Sequence, residues 1–190
     1  IGKLTAEPLE RGFGLTLGNS IRRILLSSLQ GAAITSVKIK GVVHEFSTIP
    51  GVKEDLTEIL LNLKSIAVKV HSPGLKKMYL KSTGSGELRA GNFEADSETE
   101  IMNPDQLIMT LDSNADVEIE ANVETGKGYV SAEVAEDEHK LIGEIKLDAM
   151  FSPVIKATYK VENSRVGQVT DFDKLVFEVE TNGAMAPDDA

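Results

Sequence analysis

The chain has 190 residues, 41% of them apolar and 26% charged, enough for one moderate hydrophobic core or two small ones and too few for a large multidomain enzyme. It has no cysteine and three histidines, which excludes disulfides, thiolate zinc sites and a cysteine nucleophile and leaves any metal dependent on carboxylates. The formal net charge of −10 disfavours sequence-independent binding to duplex nucleic acid, whose affinity comes largely from Lys and Arg displacing counterions.

No run approaches 18 apolar residues and no basic-then-apolar N-terminus is present, so a soluble, cytosolic protein is expected, with neither a membrane span nor a secretory signal. The charge is uneven. Residues 1–86 hold 12 basic against 6 acidic side chains, residues 87–148 hold 4 against 17, and residues 149–190 hold 4 against 7. A protein partner with a basic face suits that middle better than a phosphate backbone does.

In chain order, the first periodic segment is residues 12–29. Leu17, Ile21, Ile24, Leu25 and Leu29 recur there at intervals of three and four, which aligns them on one face of a helix, and Gly31 supplies a stop signal. Gly12, Gly14 and Gly18 crowd its start. Glycine inside a helix costs about 1 kcal/mol relative to alanine, so either the backbone approaches a neighbour closely or the helix begins only after Gly14. Arg22 and Arg23 lie together in the same segment; adjacent helical residues point about 100° apart, so the two cannot flank the stripe alike, and one is expected to face a partner.

From Ile34 the period changes to two, with Val37 and Ile39 alternating with Lys38 and Lys40 as in a strand with one wet face. Ile49-Pro50-Gly51 marks a turn. Residues 52–66 return to helical spacing through Val52, Leu56, Ile59, Leu60 and Leu63, with Glu54 and Asp55 in the first turn and Lys64 late, complementing the helix dipole. Beyond Val70 short strands predominate, punctuated by Ser72-Pro73-Gly74, Gly84-Ser85-Gly86, Asn103-Pro104-Asp105 and Asp112-Ser113-Asn114.

The clearest strand spans residues 116–124, where Val117, Ile119, Ala121 and Val123 alternate with Glu118, Glu120, Asn122 and Glu124. Residues 78–81, 106–111, 154–162 and 175–180 read as further strands, with Asn182-Gly183 as a tight turn. An α+β fold with antiparallel pairing is predicted, because no helices separate the late strands. Pro187-Asp188-Asp189-Ala190 has the composition of a helical first turn, so the chain is expected to be part of something longer.

Candidate catalytic chemistry is thin. Gly12-Phe13-Gly14-Leu15-Thr16-Leu17-Gly18 resembles a phosphate-cradling loop, but its third glycine is one position late and no buried strand precedes it. His44-Glu45 opens like a zinc-protease motif, yet Thr48 stands where the second histidine is needed. His71 and His139 fall in polar loops, the latter beside Glu136-Asp137-Glu138. Ser28, His44 and Asp55 compose a triad only on paper, since no nucleophile elbow surrounds any serine. Carboxylate pairs abound in residues 87–148, but they alternate as solvent-face residues do.

One longer stretch is specific. Glu7-Pro8-Leu9-Glu10-Arg11-Gly12-Phe13-Gly14-Leu15-Thr16-Leu17-Gly18-Asn19-Ser20-Ile21-Arg22-Arg23-Ile24-Leu25-Leu26-Ser27-Ser28 resembles the N-terminal signature of the bacterial or plastid RNA polymerase alpha subunit family. The likeness continues through Gly41-Val42-Val43-His44-Glu45-Phe46-Ser47-Thr48, Leu61-Asn62-Leu63-Lys64, Gly126-Lys127-Gly128-Tyr129-Val130, Phe151-Ser152-Pro153-Val154, Val161-Glu162, Asp173-Lys174-Leu175 and Thr181-Asn182-Gly183, leaving residues 72–92 and 133–139 without a counterpart. Lys127 stands where that family usually has arginine.

The resemblance implies two domains: a discontinuous α/β dimerisation domain of residues 1–30 plus 154–190, and a mostly antiparallel β insert domain of residues 31–153. It implies a non-catalytic homodimer that scaffolds the beta and beta-prime subunits in the cytoplasm or plastid stroma, with no catalytic residue, cofactor or metal. It also implies no membrane contact and, from these residues, no sequence-specific DNA contact. Carried over by position, Arg23 and Leu26 would lie toward beta, Lys64, Leu147 and Lys174 toward beta-prime, and Phe13, Leu17, Ile21 and Ile24 would form the dimer face. The alternative from composition alone is a ligand-binding or enzymatic domain with a carboxylate-rich pocket on the acidic middle.

Overall fold

A computed structural model describes residues 1–44, 46–132 and 143–190. The elements run β1 (Gly2–Leu9), α1 (Phe13–Ser27), β2 (Gln30–Ile39), α2 (Leu56–Lys64), β3 (Val68–Val70), β4 (Lys76–Thr83), β5 (Gly86–Arg89), a 3-10 turn (Ala90–Asn92), β6 (Thr99–Ile101), β7 (Leu107–Leu111), β8 (Asp116–Lys127), β9 (Tyr129–Val130), β10 (Glu144–Lys146), β11 (Ala149–Met150), β12 (Val154–Val166) and β13 (Val169–Thr181). The pairings are antiparallel, which with two helices makes the fold α+β. The chain divides into two compact units: a discontinuous unit of Ile1–Gln30 with Ser152–Ala190, and a central unit of Gly31–Phe151.

The discontinuous unit is a three-stranded sheet in the order β1-β13-β12, with α1 packed on one face. Period-two alternation in the β12–β13 hairpin sets Tyr159 opposite Phe177, Ala157 opposite Val179 and Val161 opposite Leu175. Those residues meet Leu25, with Ile21, Leu26 and Leu29 half-buried around it. The rings of Tyr159 and Phe177 stack with centroids 5.7 Å apart.

The glycines of α1 are explained by close approach, not by a late start, since the helix begins at Phe13 and contains both Gly14 and Gly18. A Cβ at Gly18 would stand 2.4 Å from the Tyr159 ring, and one at Gly14 would stand 2.8 Å from Val161 Cγ1. Only glycine lets the helix axis sink this far onto β12. The helix N-terminus is capped from the other end of the chain: Asp173 Oδ2, on β13, accepts from the backbone N–H of Gly12 at 2.9 Å and of Gly14 at 3.1 Å.

In the central unit, β4-β8-β2-β3-β6 form the main sheet and β10 pairs with β2. The alternation read in β8 holds: Val117, Ile119, Ala121 and Val123 are buried. On the opposite face Lys77 pairs with Glu120 at 2.5 Å, Lys40 with Asp116 at 2.9 Å, and Lys81 lies 3.8 Å from Glu118, so this surface neutralises its own charge. Leu56, Ile59, Leu60 and Leu63 of α2 are buried in the unit's core.

Three expectations need correction. The second helix starts at Leu56 rather than Val52, because Asp55 is its N-cap, accepting from Glu58 N at 2.8 Å. Glu54 leaves the helix altogether and accepts from the Thr110 backbone N–H at 2.6 Å and its hydroxyl at 2.8 Å. Leu147, expected toward a partner, is only 7% exposed and sits in the central core. Its N–H donates to Thr35 O at 2.8 Å, prolonging the β2–β10 ladder, and alternation then turns Leu147 inward like Ile145.

Candidate functional site

Helix α1 displays more apolar surface than its own sheet covers. Gly14, Gly18 and Leu25 are buried, but Phe13 is 53%, Leu17 37% and Ile24 55% exposed. At spacings of four and seven these three share one flank of the helix. Ile21, grouped with them from sequence, is half-buried against the unit's own core. Leu15, also exposed, lies eleven residues before Leu26 and so on the same, opposite flank; sequence reading passed over it because it lies off the main stripe.

The two adjacent arginines have different partners. Arg22 Nε donates to Ala157 O at 3.1 Å, which ties the helix to β12. Arg23 is exposed, and its guanidinium makes no hydrogen bond or ion pair among the described residues; its backbone oxygen accepts from Ser27 Oγ at 2.6 Å. It projects about 180° from Gly14 and about 100° from the Phe13, Leu17 and Ile24 flank, with Leu26 one turn on. The helix therefore offers an apolar flank and, a quarter turn away, an unpaired guanidinium.

In the central unit, Lys64 Nζ donates to Asp148 Oδ2 at 3.0 Å, while Asp148 Oδ1 accepts from Ala132 N at 3.0 Å. The Asp148 carboxyl is held below the usual aspartate range by the Ala132 N–H first, then by Lys64, with the Tyr129 hydroxyl contributing less. Tyr129 and Met150 stand opposite each other in the β9–β11 ladder, both exposed. Lys174, in the discontinuous unit, donates to Glu7 Oε1 at 3.0 Å.

The residues considered for catalysis do not assemble. His44 Nδ1 lies 3.3 Å from the Ser47 hydroxyl, His71 lies 3.5 Å from Glu100, Asp55 caps α2 and the Ser28 hydroxyl lies 3.3 Å from that of Ser27. Glu45, His139 and the run Glu136-Asp137-Glu138 lie outside the described residues. Among the described residues no three His, Asp or Glu side chains gather closely enough to hold a metal ion, and no helix is long and apolar enough to cross a membrane. A surface depression of the central unit, ≈ 350 Å³, is lined by Gly51, Val52, Lys53, Thr110, Leu111 and Asp112. It carries one carboxylate, far from the convergent cluster an acidic catalytic pocket needs.

The RNA polymerase Rpb3/RpoA insert domain family matches residues 37–152, more than half of the chain and nearly all of the central unit. The chain belongs to this family. It is thus an RNA polymerase subunit domain, part of a nucleotidyltransferase complex that performs DNA-directed transcription, and its work is done within a protein assembly. Within the Rpb3/RpoA match fall Lys64, Asp148, Tyr129 and Met150; α1 lies before it.

Proposed function

We propose that this chain is the N-terminal region of an alpha-type RNA polymerase subunit, non-catalytic, which pairs with a second copy through α1 and holds the beta and beta-prime chains. In this reading the discontinuous unit is the dimerisation domain and the central unit the insert, working in the cytoplasm or plastid stroma. The observation that carries it is the outward flank of Phe13, Leu17 and Ile24 beside an Arg23 with no partner of its own among the described residues. An apolar stripe of this kind is left exposed at the expense of solubility unless something covers it.

Phe13, Leu17 and Ile24 form the dimer contact, Arg23 and Leu26 face beta, and Lys64 and Lys174 face beta-prime. Leu147 is not among the contacts. Arg23→Ala leaves fold and dimer intact and weakens beta recruitment by ~2–5 kcal/mol, the range for losing one partner of a buried charge pair. Sedimentation of Ile24→Ala separates the two surfaces: a folded monomer that still carries Arg23 supports the assignment. Undiminished co-purification of Arg23→Ala with beta, or an Ile24→Ala chain that sediments as the unaltered one does, overturns it.

A further inference from the structure

The turn that follows β13 carries reactive groups for which a scaffold has no use. Of the eight asparagines in the chain, Asn182 is the one followed by glycine. It closes the long hairpin: Val154 pairs with Thr181, and the Asn182 N–H donates to Pro153 O at 2.9 Å. Its side chain then reaches past Gly183, and Oδ1 accepts from the Ala184 N–H at 3.0 Å. Gly183 itself is exposed, and its N–H makes no hydrogen bond among the described residues.

These groups are the parts of an intramolecular acyl transfer. A backbone nitrogen that has lost its proton is a nucleophile, and the Gly183 nitrogen can close on the Asn182 Cγ to make a succinimide ring. Glycine brings no Cβ to hinder that approach. The Ala184 N–H polarises the Cγ carbonyl and is already in place for the negative charge that gathers on Oδ1 as the new bond forms. The Asn182 Nδ2, which must leave, makes no hydrogen bond among the described residues. Other asparagines lack one part or another. Asn103 precedes a proline, which has no N–H, the nitrogen after Asn114 donates to Asp112 O at 3.1 Å, and Asn62 Nδ2 is tied to Ile108 O at 2.9 Å.

We propose that Asn182-Gly183 is a self-modification site of the folded chain, converting to aspartate and isoaspartate with release of ammonia. The Gly183 N–H gives its proton to a solvent base, the nitrogen bonds to Cγ, and the Cγ–Nδ2 bond breaks as Nδ2 takes a proton and departs as ammonia. Water then opens the ring. Addition at Cγ restores the main chain and leaves aspartate; addition at the Asn182 main-chain carbonyl routes the chain through the side-chain carbons and leaves isoaspartate. Water is the only co-reactant, and no electron is gained or lost.

The position makes this a joint. Beyond it the chain doubles back onto its own unit, with Pro187 so close to Gly2 of β1 that a Cβ there would clash, and with Ala190 half-buried against the core of Leu25 and Phe177. Isoaspartate lengthens the backbone by one carbon between β13 and this segment, and either product adds a negative charge to a stretch that already holds Asp188 and Asp189. Both changes loosen the segment from β1.

The test is peptide mapping by mass spectrometry of the full chain, incubated folded in mildly alkaline and in mildly acidic buffer. The peptide carrying Asn182 gains about 1 Da, faster in the alkaline buffer, and part of the product is isoaspartate. Asn182 converts at least about tenfold faster than Asn114 or Asn163, both exposed but followed by residues that carry a Cβ. Asn182→Gln, which must close a larger ring, gains no mass there, and the converted chain, separated by ion exchange, melts below the unconverted one. A mass gain that is absent from the folded chain, or that appears only after unfolding in guanidinium chloride, shows that the turn guards Asn182 and overturns the proposal. Equal rates at Asn182, Asn114 and Asn163 overturn it as well, and coincident melting of the two forms overturns the loosening.

Discussion

The two units differ in how far each covers the apolar side of its helix: α2 buries Leu56, Ile59, Leu60 and Leu63 and exposes Leu61, whereas α1 buries Leu25 and exposes Phe13, Leu15, Leu17 and Ile24. The central unit encloses its core between a sheet and α2, and covers the outer face of β8 with lysine–glutamate pairs. The discontinuous unit lays one helix on a three-stranded sheet and leaves half of that helix's apolar residues in solvent. The fuller cover of α2 and the thinner cover of α1 correspond to different jobs. A closed body presents small, well-supported contact spots, whereas an open face is finished only by something laid upon it.

That contrast can be broken by mutation. The largest effect is expected at Leu63, fully buried in the central core: Leu63→Ala costs about 2–5 kcal/mol, read as a lower denaturant midpoint. A cost below ~1 kcal/mol would mean that this core is looser than its burial indicates. Next comes Gly18→Ala, which drives a methyl into the Tyr159 ring and costs about 1–3 kcal/mol by overpacking. If two copies pair through α1 as proposed, it also lifts α1 from β12 and weakens that pairing, seen as slower sedimentation at fixed concentration. Unchanged stability and unchanged sedimentation together would show that the helix does not need its close approach.

The smallest effect is acid sensitivity, which sharpens the contrast by charge. Asp148 is held below its ordinary 3.8 by Ala132 and Lys64. Glu54, pushed up by burial, is carried below its ordinary 4.5 by the Thr110 N–H and hydroxyl, which outweigh that burial. A carboxyl with a lowered folded pKa contributes stability above its unfolded pKa and loses it as the pH falls through the folded value. The contributions of these two groups are therefore level from neutral pH down to about pH 5 and are lost below 4.5 and 3.8 in turn. Glu54→Gln flattens the earlier part of that decline in urea titrations; an identical pH profile would remove Glu54 from the account.

The parts of the fold legible in the sequence were those where one period dominated. β8 alternates without interruption, and α1 keeps its threes and fours. The second helix was overextended because Val52 and Glu54 continue a helical spacing by chance, while their real partners, Leu111 and Thr110, lie more than fifty residues away. β1 was missed by periodicity: Lys3, Leu4 and Thr5 are all exposed, so no inward–outward alternation marks the strand. At the candidate site, the doubled arginine leaves open which guanidinium is free, because that depends on Ala157 O, a contact 135 residues away. The β9–β11 ladder left no local signal, since two-residue strands are too short to show a period.

Asp173 binds the first amides of α1 from 159 and 161 positions downstream, and that separation imposes an order of manufacture. A ribosome that has released the first 150 residues has made the helix but neither the hairpin beneath it nor the carboxylate that pins its end. Throughout synthesis of the middle region the helix has no seat, so its outward flank acquires a defined shape only with the closing hairpin. Any recognition through that flank is thereby postponed until residues 154–181 have been made, when a wrong encounter with a half-made neighbour is less costly.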